Sequence, residues 1–254
     1  MSPTVAKVKK TVTPRKKKLS LEFVEPSKKY DALALGVINE DKAYEYAVES
    51  PLFITGYHVT HMDYLRRLLV AHYANFSNVH FFCADFNGEM KDLGAERGRL
   101  FTEVSHNVSD IRTMFERILS DTSGVRTVLY VNDCFKHLED DEDLAHLLVK
   151  VIEKSQLDPS FHIYLQSHAS RLERGNIEAQ QKVLDLAKGK LLVGNLLYAD
   201  LRFLFNADEA KQVPTFAKNQ TTLYLPAGKP IKFEIYKILP TWFKQNKVLL
   251  PPKV

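Results

Sequence analysis

Pro51-Leu52-Phe53-Ile54-Thr55-Gly56-Tyr57-His58-Val59-Thr60-His61-Met62-Asp63 joins a buried strand to a helix. Leu52 to Thr55 is a short unbroken apolar run closed by Gly56, the pattern of a strand covered on both faces. Beyond the loop, Leu65, Leu68, Leu69, His72 and Tyr73 recur at helical spacing. The same alternation runs on down the chain. Val79–Ala84 is a second apolar strand, ending at Asp85. Ile111, Met114, Phe115, Ile118 and Leu119 line one face of a helix with Ser109 placed as its N-cap. After a break at Gly124, Val128–Val131 is a third strand, ending at Asn132-Asp133. The acidic run Glu139–Asp143 opens a helix carrying Leu144, Leu147, Leu148, Val151 and Ile152, and acids in a first turn suit the helix dipole. Phe161–Leu165 is a fourth strand, ending at Gln166-Ser167; a helix covers about 177–187, and Leu191–Val193 is a short fifth strand before a helical segment, Asn195–Phe205. Thr221–Leu225 and Ile231–Ile238 flank Ala227-Gly228-Lys229-Pro230 as a terminal β-hairpin at a sheet edge.

This alternation predicts an α/β fold, a mostly parallel sheet flanked by helices on both faces, with the hairpin added antiparallel. In such sheets function sits at the carboxyl ends of the strands, which directs attention to Gly56, Asp85, Asn132 and Gln166. Upstream, Leu33–Gly36 is a short apolar run, Asn39–Asp41 is polar, and Leu19–Val24 reads as a short strand. Residues 1–29 read as a basic linker or tail, 30–239 as the folded domain, and 240–254 as a Pro-rich C-terminal extension carrying Trp242 and Phe243.

The charge divides along the same line. The 254 residues carry +4, but residues 1–18 contain seven cations (Lys7, Lys9, Lys10, Arg15, Lys16, Lys17, Lys18) and no acid. Without them 28 basic residues face 31 acidic ones, a balance of −3, which is not the footprint of a globally basic nucleic-acid binder. With 45% hydrophobic residues the chain can bury a sizeable core. Cys83 and Cys134, both in apolar surroundings, read as free buried thiols and suit a reducing compartment. No run approaches the ~18 apolar residues of a membrane span, and no apolar segment follows the basic start as it would in a signal peptide.

The segment from Gly56 to Asp63 has the place and length of a phosphate-binding loop, G-x-x-x-x-G-K-[ST], but only the first glycine matches. His61 stands at the second glycine and brings a Cβ where backbone must approach phosphate; Met62 stands at the lysine, so no cation reaches the phosphates. Asp63 stands at the Ser/Thr, and a like charge ~4 Å away repels by about 4 kcal/mol at an effective dielectric of 20. The third strand ends as a Walker B strand does, with Asp133 at the metal-orienting position, but its neighbours Asn132 and Cys134 supply no second carboxylate to assist water attack. Taken singly, each feature also fits an ordinary strand–loop–helix turn.

The order of elements resembles the FtsK/SpoIIIE family of RecA-like P-loop ATPases. It is most similar to a degenerate C-terminal ATPase domain of the EssC-type coupling protein of type VII secretion. The matching stretches are Leu33–Gly36, Pro51–Gly56, His80–Phe86, Val128–Asp133, Phe161–Ser167 and Lys232–Tyr236, within about residues 30–239. The resemblance places Gly56, His61, Met62 and Asp63 at Walker A, Asn132, Asp133 and Cys134 at Walker B, and Gln166 and Ser167 at the polar end of the next strand. It implies a membrane-anchored hexameric motor with tandem ATPase domains, on the cytoplasmic side of a bacterial membrane. Terminal domains of this kind are often nucleotide-incompetent and help recognise secreted substrates. This chain would be one such domain, with no catalytic residues and no cofactor, its partners being secreted proteins and the preceding ATPase domains. Membrane attachment would come only through the rest of the chain.

Two alternatives stay open within the family: an active ATPase, which would need ATP and Mg²⁺ and lose turnover on Asp133→Ala, or a DNA translocase. Arg66, Arg67, Arg97, Arg99 and the tail are the basic residues for the latter, against a net acidic body. His58-x-x-His61-x-Asp63 has metal-ligand types, but the other histidines are scattered and no metal is expected.

Overall fold

The computed structural model describes residues 20–22, 25–39, 42–48, 50–90, 100–138, 140–213, 220–225 and 229–246. The tail cations at 7–18, Leu19, Val24, Arg97, Arg99 and Glu139 lie outside the described residues, as does the hairpin turn at 226–228.

The strands are β1 (Ala32–Ile38), β2 (Lys42–Ala47), β3 (Leu52–Gly56), β4 (Val79–Asp85), β5 (Glu103–Ser105), β6 (Arg126–Asn132), β7 (Phe161–His168), β8 (Gly189–Val193), β9 (Gln220–Tyr224) and β10 (Ile231–Ile235). The helices are α1 (Val59–Ala74), α2 (Val108–Ser120), α3 (Glu142–Leu157), α4 (Ile177–Leu186), α5 (Tyr198–Leu204), α6 (Ala207–Gln212) and α7 (Pro240–Asn246). All ten strands among the described residues join one sheet, ordered β2-β1-β10-β9-β8-β3-β7-β6-β4-β5. The run β8-β3-β7-β6-β4-β5 is parallel throughout. The other four strands are joined antiparallel.

Period-2 alternation sends neighbouring residues of each central strand into different cores. Val128 and Tyr130 face the core of α1 and α7, with Leu65, Leu69, Trp242 and Phe243. Leu129 and Val131 face that of α2, α3 and α4, with Phe115, Leu148 and Val183. Helices therefore cover both faces, which is why these strands are apolar along their whole length.

Several expectations are corrected. The terminal hairpin is not at an edge: β10 pairs with β1, Gly36 opposite Ile235, and the edges are β2 and β5. Neither edge strand announces itself in sequence, because Lys42-Ala43-Tyr44-Glu45-Tyr46-Ala47 buries only Tyr46 and β5 has three residues. The segment after Pro240 begins as α7, whose Trp242 and Phe243 are buried in the α1 core. Ser109 is not the N-cap of α2; Asn107 is, its side chain accepting from the Asp110 amide at 2.9 Å. Of the strand expected at Leu19–Val24, the described part is a single parallel bridge, Glu22 to Lys237. α6 adds a helix that was not expected, opened by a capping box between Asn206 and Glu209.

Candidate nucleotide-binding site

β3 leads through α1 across two strands to β4, whereas β7 leads back past β3 to β8. The connections part at the carboxyl ends of β3 and β7, and this switch point is where a doubly wound sheet places its site.

The loop expected from Gly56 to Asp63 is only two residues long. Tyr57 and His58 alone separate β3 from α1, which begins at Val59 rather than near Leu65. His61, Met62 and Asp63 are therefore helical. The His61 and Met62 amides both donate to the His58 carbonyl at 3.0 Å, so they are already used within the turn. A phosphate cradle needs such amides free and converging. Gly56 has its own reason: a Cβ there would stand 2.2 Å from the Val193 carbonyl oxygen on β8. The glycine is required by strand packing, without any phosphate.

Met62 is buried, and so is His61, whose ring stacks on His58 with centroids 4.0 Å apart. Burial, then the neighbouring His58 and Lys237, hold the His61 imidazole down at about 4, so it is neutral at pH 7. Asp63 is not a first-turn acid; it ion-pairs with Arg66 at 3.0 Å and more distantly with Arg67 at 4.0 Å. Both arginines are buried, which removes them from the surface a DNA backbone would touch. Arg66 also grips Glu89 at 2.9 Å.

The ends of β4, β6 and β7 are tied into the same network. Asn132 Nδ2 donates to Asp85 Oδ1 and to Glu89 Oε2, both at 2.9 Å. Gln166 Nε2 donates to Asn132 Oδ1 at 3.2 Å, and Tyr130 donates to Gln166 Oε1 at 2.7 Å. Asp85 further accepts from the Glu89 and Met90 amides and faces His106 at 3.2 Å. Asp133 has left-handed backbone (φ 54°), which Asp tolerates better than most residues. Its carboxylate accepts from Asn87 at 3.0 Å and lies 3.5 Å from both Ser167 Oγ and Arg171 Nε. Cys134 is fully buried; desolvation, then Asp133, pushes its thiol well up, which leaves it inert.

Gly56, His61, Met62, Asp63, Asn132, Asp133, Gln166 and Ser167 are thus at one end of the sheet. Met62, Asp63, Asn132, Asp133 and Gln166 line a single cavity of about 50 Å³ with Val59, Asn87, Glu89 and His168. Ligand pockets commonly run to roughly 300–1,000 Å³. Sequence reasoning missed Glu89, Asn87 and Arg171; the Asn87-Gly88 turn after the Asp85 strand end was the available signal for the first two. Among the described residues, no group of three His, Cys, Asp or Glu side chains is placed to hold a metal ion. None of the described helices is long and apolar enough to cross a membrane.

No family model matches the chain, and no curated protein matches its sequence. Solved structures do match. The cytoplasmic domain of the Thermomonospora curvata type VII secretion ATPase EccC superposes with a TM-score of 0.61 at 14% identity, over 86% of this chain and 30% of that one. The fold is that of the P-loop ATPases. The pCW3 conjugation coupling protein TcpA, solved with ATPgS, gives 0.63 at 11% identity over 91% of this chain and 75% of its own. EccC ATPases 2 and 3 from the same Thermomonospora, in complex with a signal sequence peptide, give 0.54 at 14% identity, over 87% and 46%. This chain spans under a third of the EccC cytoplasmic domain and under half of the two-ATPase fragment.

Proposed function

We propose that this chain is a nucleotide-incompetent ATPase-like domain of a membrane-anchored type VII secretion motor, acting in substrate docking and motor regulation on the cytoplasmic side. The likeness to EccC, a secretion ATPase, supports the motor assignment. The observation that carries the incompetence is the two-residue connection between β3 and α1, which leaves His61, Met62 and Asp63 in a helix whose amides are already bonded. Mg·ATP does not fit these residues. Asp63, Glu89 and Asp133 present carboxylates where phosphate charge would sit, and the neighbouring cations are already engaged, Arg66 by Asp63 and Glu89, Arg171 by Asp133 and Lys136 by Asn87. Gly56, His61, Met62 and Asp63 would then be a degenerate Walker A, and Asn132, Asp133 and Cys134 a degenerate Walker B. Gln166 and Ser167 close the network rather than sense a γ-phosphate. Partners would be secreted proteins and the preceding ATPase domains of a longer, hexameric assembly.

Calorimetry of the chain with Mg·ATP and Mg·ADP tests the nucleotide half: no heat of binding is expected, and micromolar affinity would overturn it. Peptides from the termini of proteins secreted by the same cell test docking; saturable binding is expected, and uniform failure counts against that role.

A further inference from the structure

The far end of the sheet, where the parallel strands begin, is built differently. A cavity of about 350 Å³ opens between the start of β8, the end of β9 and the α5–α6 corner. Its floor is Gly189, where a Cβ would come within 2.9 Å of Leu52 Cδ1 and 3.3 Å of Leu225 Cδ2. Leu225, Pro230 and Phe205 supply apolar wall.

Two polar side chains line this cavity side by side. Lys190 and Tyr224 are directly opposite across β8 and β9, so their side chains share one face. The Lys190 ammonium is 5.3 Å from the centre of the Phe205 ring, and the Tyr224 ring is 4.9 Å from it. Among the described residues the Tyr224 hydroxyl is buried without a hydrogen-bond partner, and the half-buried Lys190 has its cation–π contact with Phe205 but no ion pair. Half-buried and desolvated, Lys190 is held below the usual lysine range, with Glu209 and Asp185 acting the other way. The acid nearest in the cavity, Glu209, is committed to the Asn206 amide at 3.2 Å.

We infer that this cavity binds a carboxylate carried on an aromatic or apolar body, the carboxylate paired with Lys190 and the body laid against Phe205, Leu225 and Gly189. A single half-buried ammonium suits a monoanion. A phosphate dianion would face Glu209 with, among the described lining residues, only rim-exposed Lys188 to add charge. The body fits because Phe205, Leu225 and Pro230 supply apolar wall beside the cation, whose ammonium lies over the aromatic ring. The site lies at the opposite end of the sheet from the nucleotide-type network and stands independently of whether nucleotide binds there.

Phenylacetate is the probe, titrated into the full chain by calorimetry and followed by thermal melting, with acetate and phenylphosphonate as comparisons. Saturable phenylacetate binding is expected, weaker for both comparisons. Lys190→Met keeps the stem length and removes the charge; at least about a tenfold loss is expected. Tyr224→Phe reports whether the hydroxyl contributes, and circular dichroism confirms that each variant folds. A second arm uses an acetylated Phe-Glu peptide amide and its Phe-Gln counterpart. Tighter binding of the Glu peptide than of phenylacetate assigns the carboxylate to a protein segment, and the reverse assigns it to a free acid. Equal affinity of Lys190→Met and the parent chain, or no saturation by either probe, overturns the inference.

Discussion

The two ends of the central sheet have been finished in opposite ways. At the carboxyl ends of β3, β4, β6 and β7, charged and amide side chains have found partners in one another. Arg66 spans Asp63 and Glu89, and Asn132 spans Asp85 and Glu89, leaving about 50 Å³. At the amino ends the cavity is about 350 Å³ and Lys190 looks onto an aromatic ring. The difference teaches that a site's position in the fold is a weaker guide to ligand demand than its internal satisfaction. A polar group that is already paired gains little from a ligand, whereas one left desolvated gains the whole contact.

Acid should separate the ends most strongly. Near the amino ends, His162 stacks on Tyr30 at 4.5 Å and bonds Tyr73 at 2.8 Å, while His72 bonds the Tyr30 carbonyl at 3.0 Å. Burial holds both imidazoles down at about 4, against Asp31, which favours the charged form. The unfolded chain takes up these protons first, near pH 6.5. Stability is therefore full above that pH, falls as pH drops toward about 4, and levels below it. Each histidine contributes at most about 3 kcal/mol to the fall. A pH series of urea midpoints checks this, and His72→Phe should flatten the slope; an unchanged slope removes the mechanism. His61, held down to about 4 as well, adds one further histidine's part from the other end.

Arg66→Met tests the paired end directly. It keeps α1 apolar but leaves Asp63 and Glu89 without their shared guanidinium. A loss of about 3 kcal/mol is expected, the low end for a broken buried pair because both acids keep some water. It should leave Lys190-dependent phenylacetate binding untouched, since the sites are at different ends. Loss of both together would mean that the ends are coupled.

Gly56→Ala sharpens the comparison at its hinge. If Gly56 answers to phosphate, an added methyl in this chain should cost little. If it answers to Val193, as the 2.2 Å approach requires, about 1–3 kcal/mol should be lost because backbone must shift. Guanidinium denaturation distinguishes the two.

Much of this was legible in the sequence. The parallel strands announce themselves because burial on both faces makes them continuous apolar runs, and the α2 face because Ile111, Met114, Phe115 and Ile118 recur helically. What was not legible depends on partners distant along the chain. β1 must pair with β10 before the hairpin can be seen as interior, and no local pattern in Ile231–Ile235 says so. Likewise, Gly56 to Asp63 fits the spacing of a phosphate loop letter by letter. Only the early start of α1 shows that there is no loop to fill. Trp242 and Phe243 were placed in an extension because Pro240 and Pro251 dominate the local composition, yet Pro240 stands at a first helical position, where its missing amide costs nothing.

The smallest expected effect concerns where the carboxyl-end network meets α2. The sequence reading places the cap at Ser109, and the structure places it two residues earlier, at Asn107. Only Asn107 has extended backbone (φ −99°, ψ 153°) and a side chain on the Asp110 amide; Ser109 lies inside the helix, its carbonyl accepting from Thr113 Oγ1 at 3.2 Å. Asn107→Ala should cost about 1 kcal/mol, the usual worth of a cap, and Ser109→Ala at most a few tenths. His106, one residue before the cap, faces Asp85 at 3.2 Å. If frayed α2 residues let His106 leave Asp85, Asn107→Ala will also weaken the Asn132–Asp85–Glu89 network. Its effect will then be non-additive with Arg66→Met by about 0.5 kcal/mol or more. Simple additivity would confine the cap to α2 and leave the paired end self-supporting.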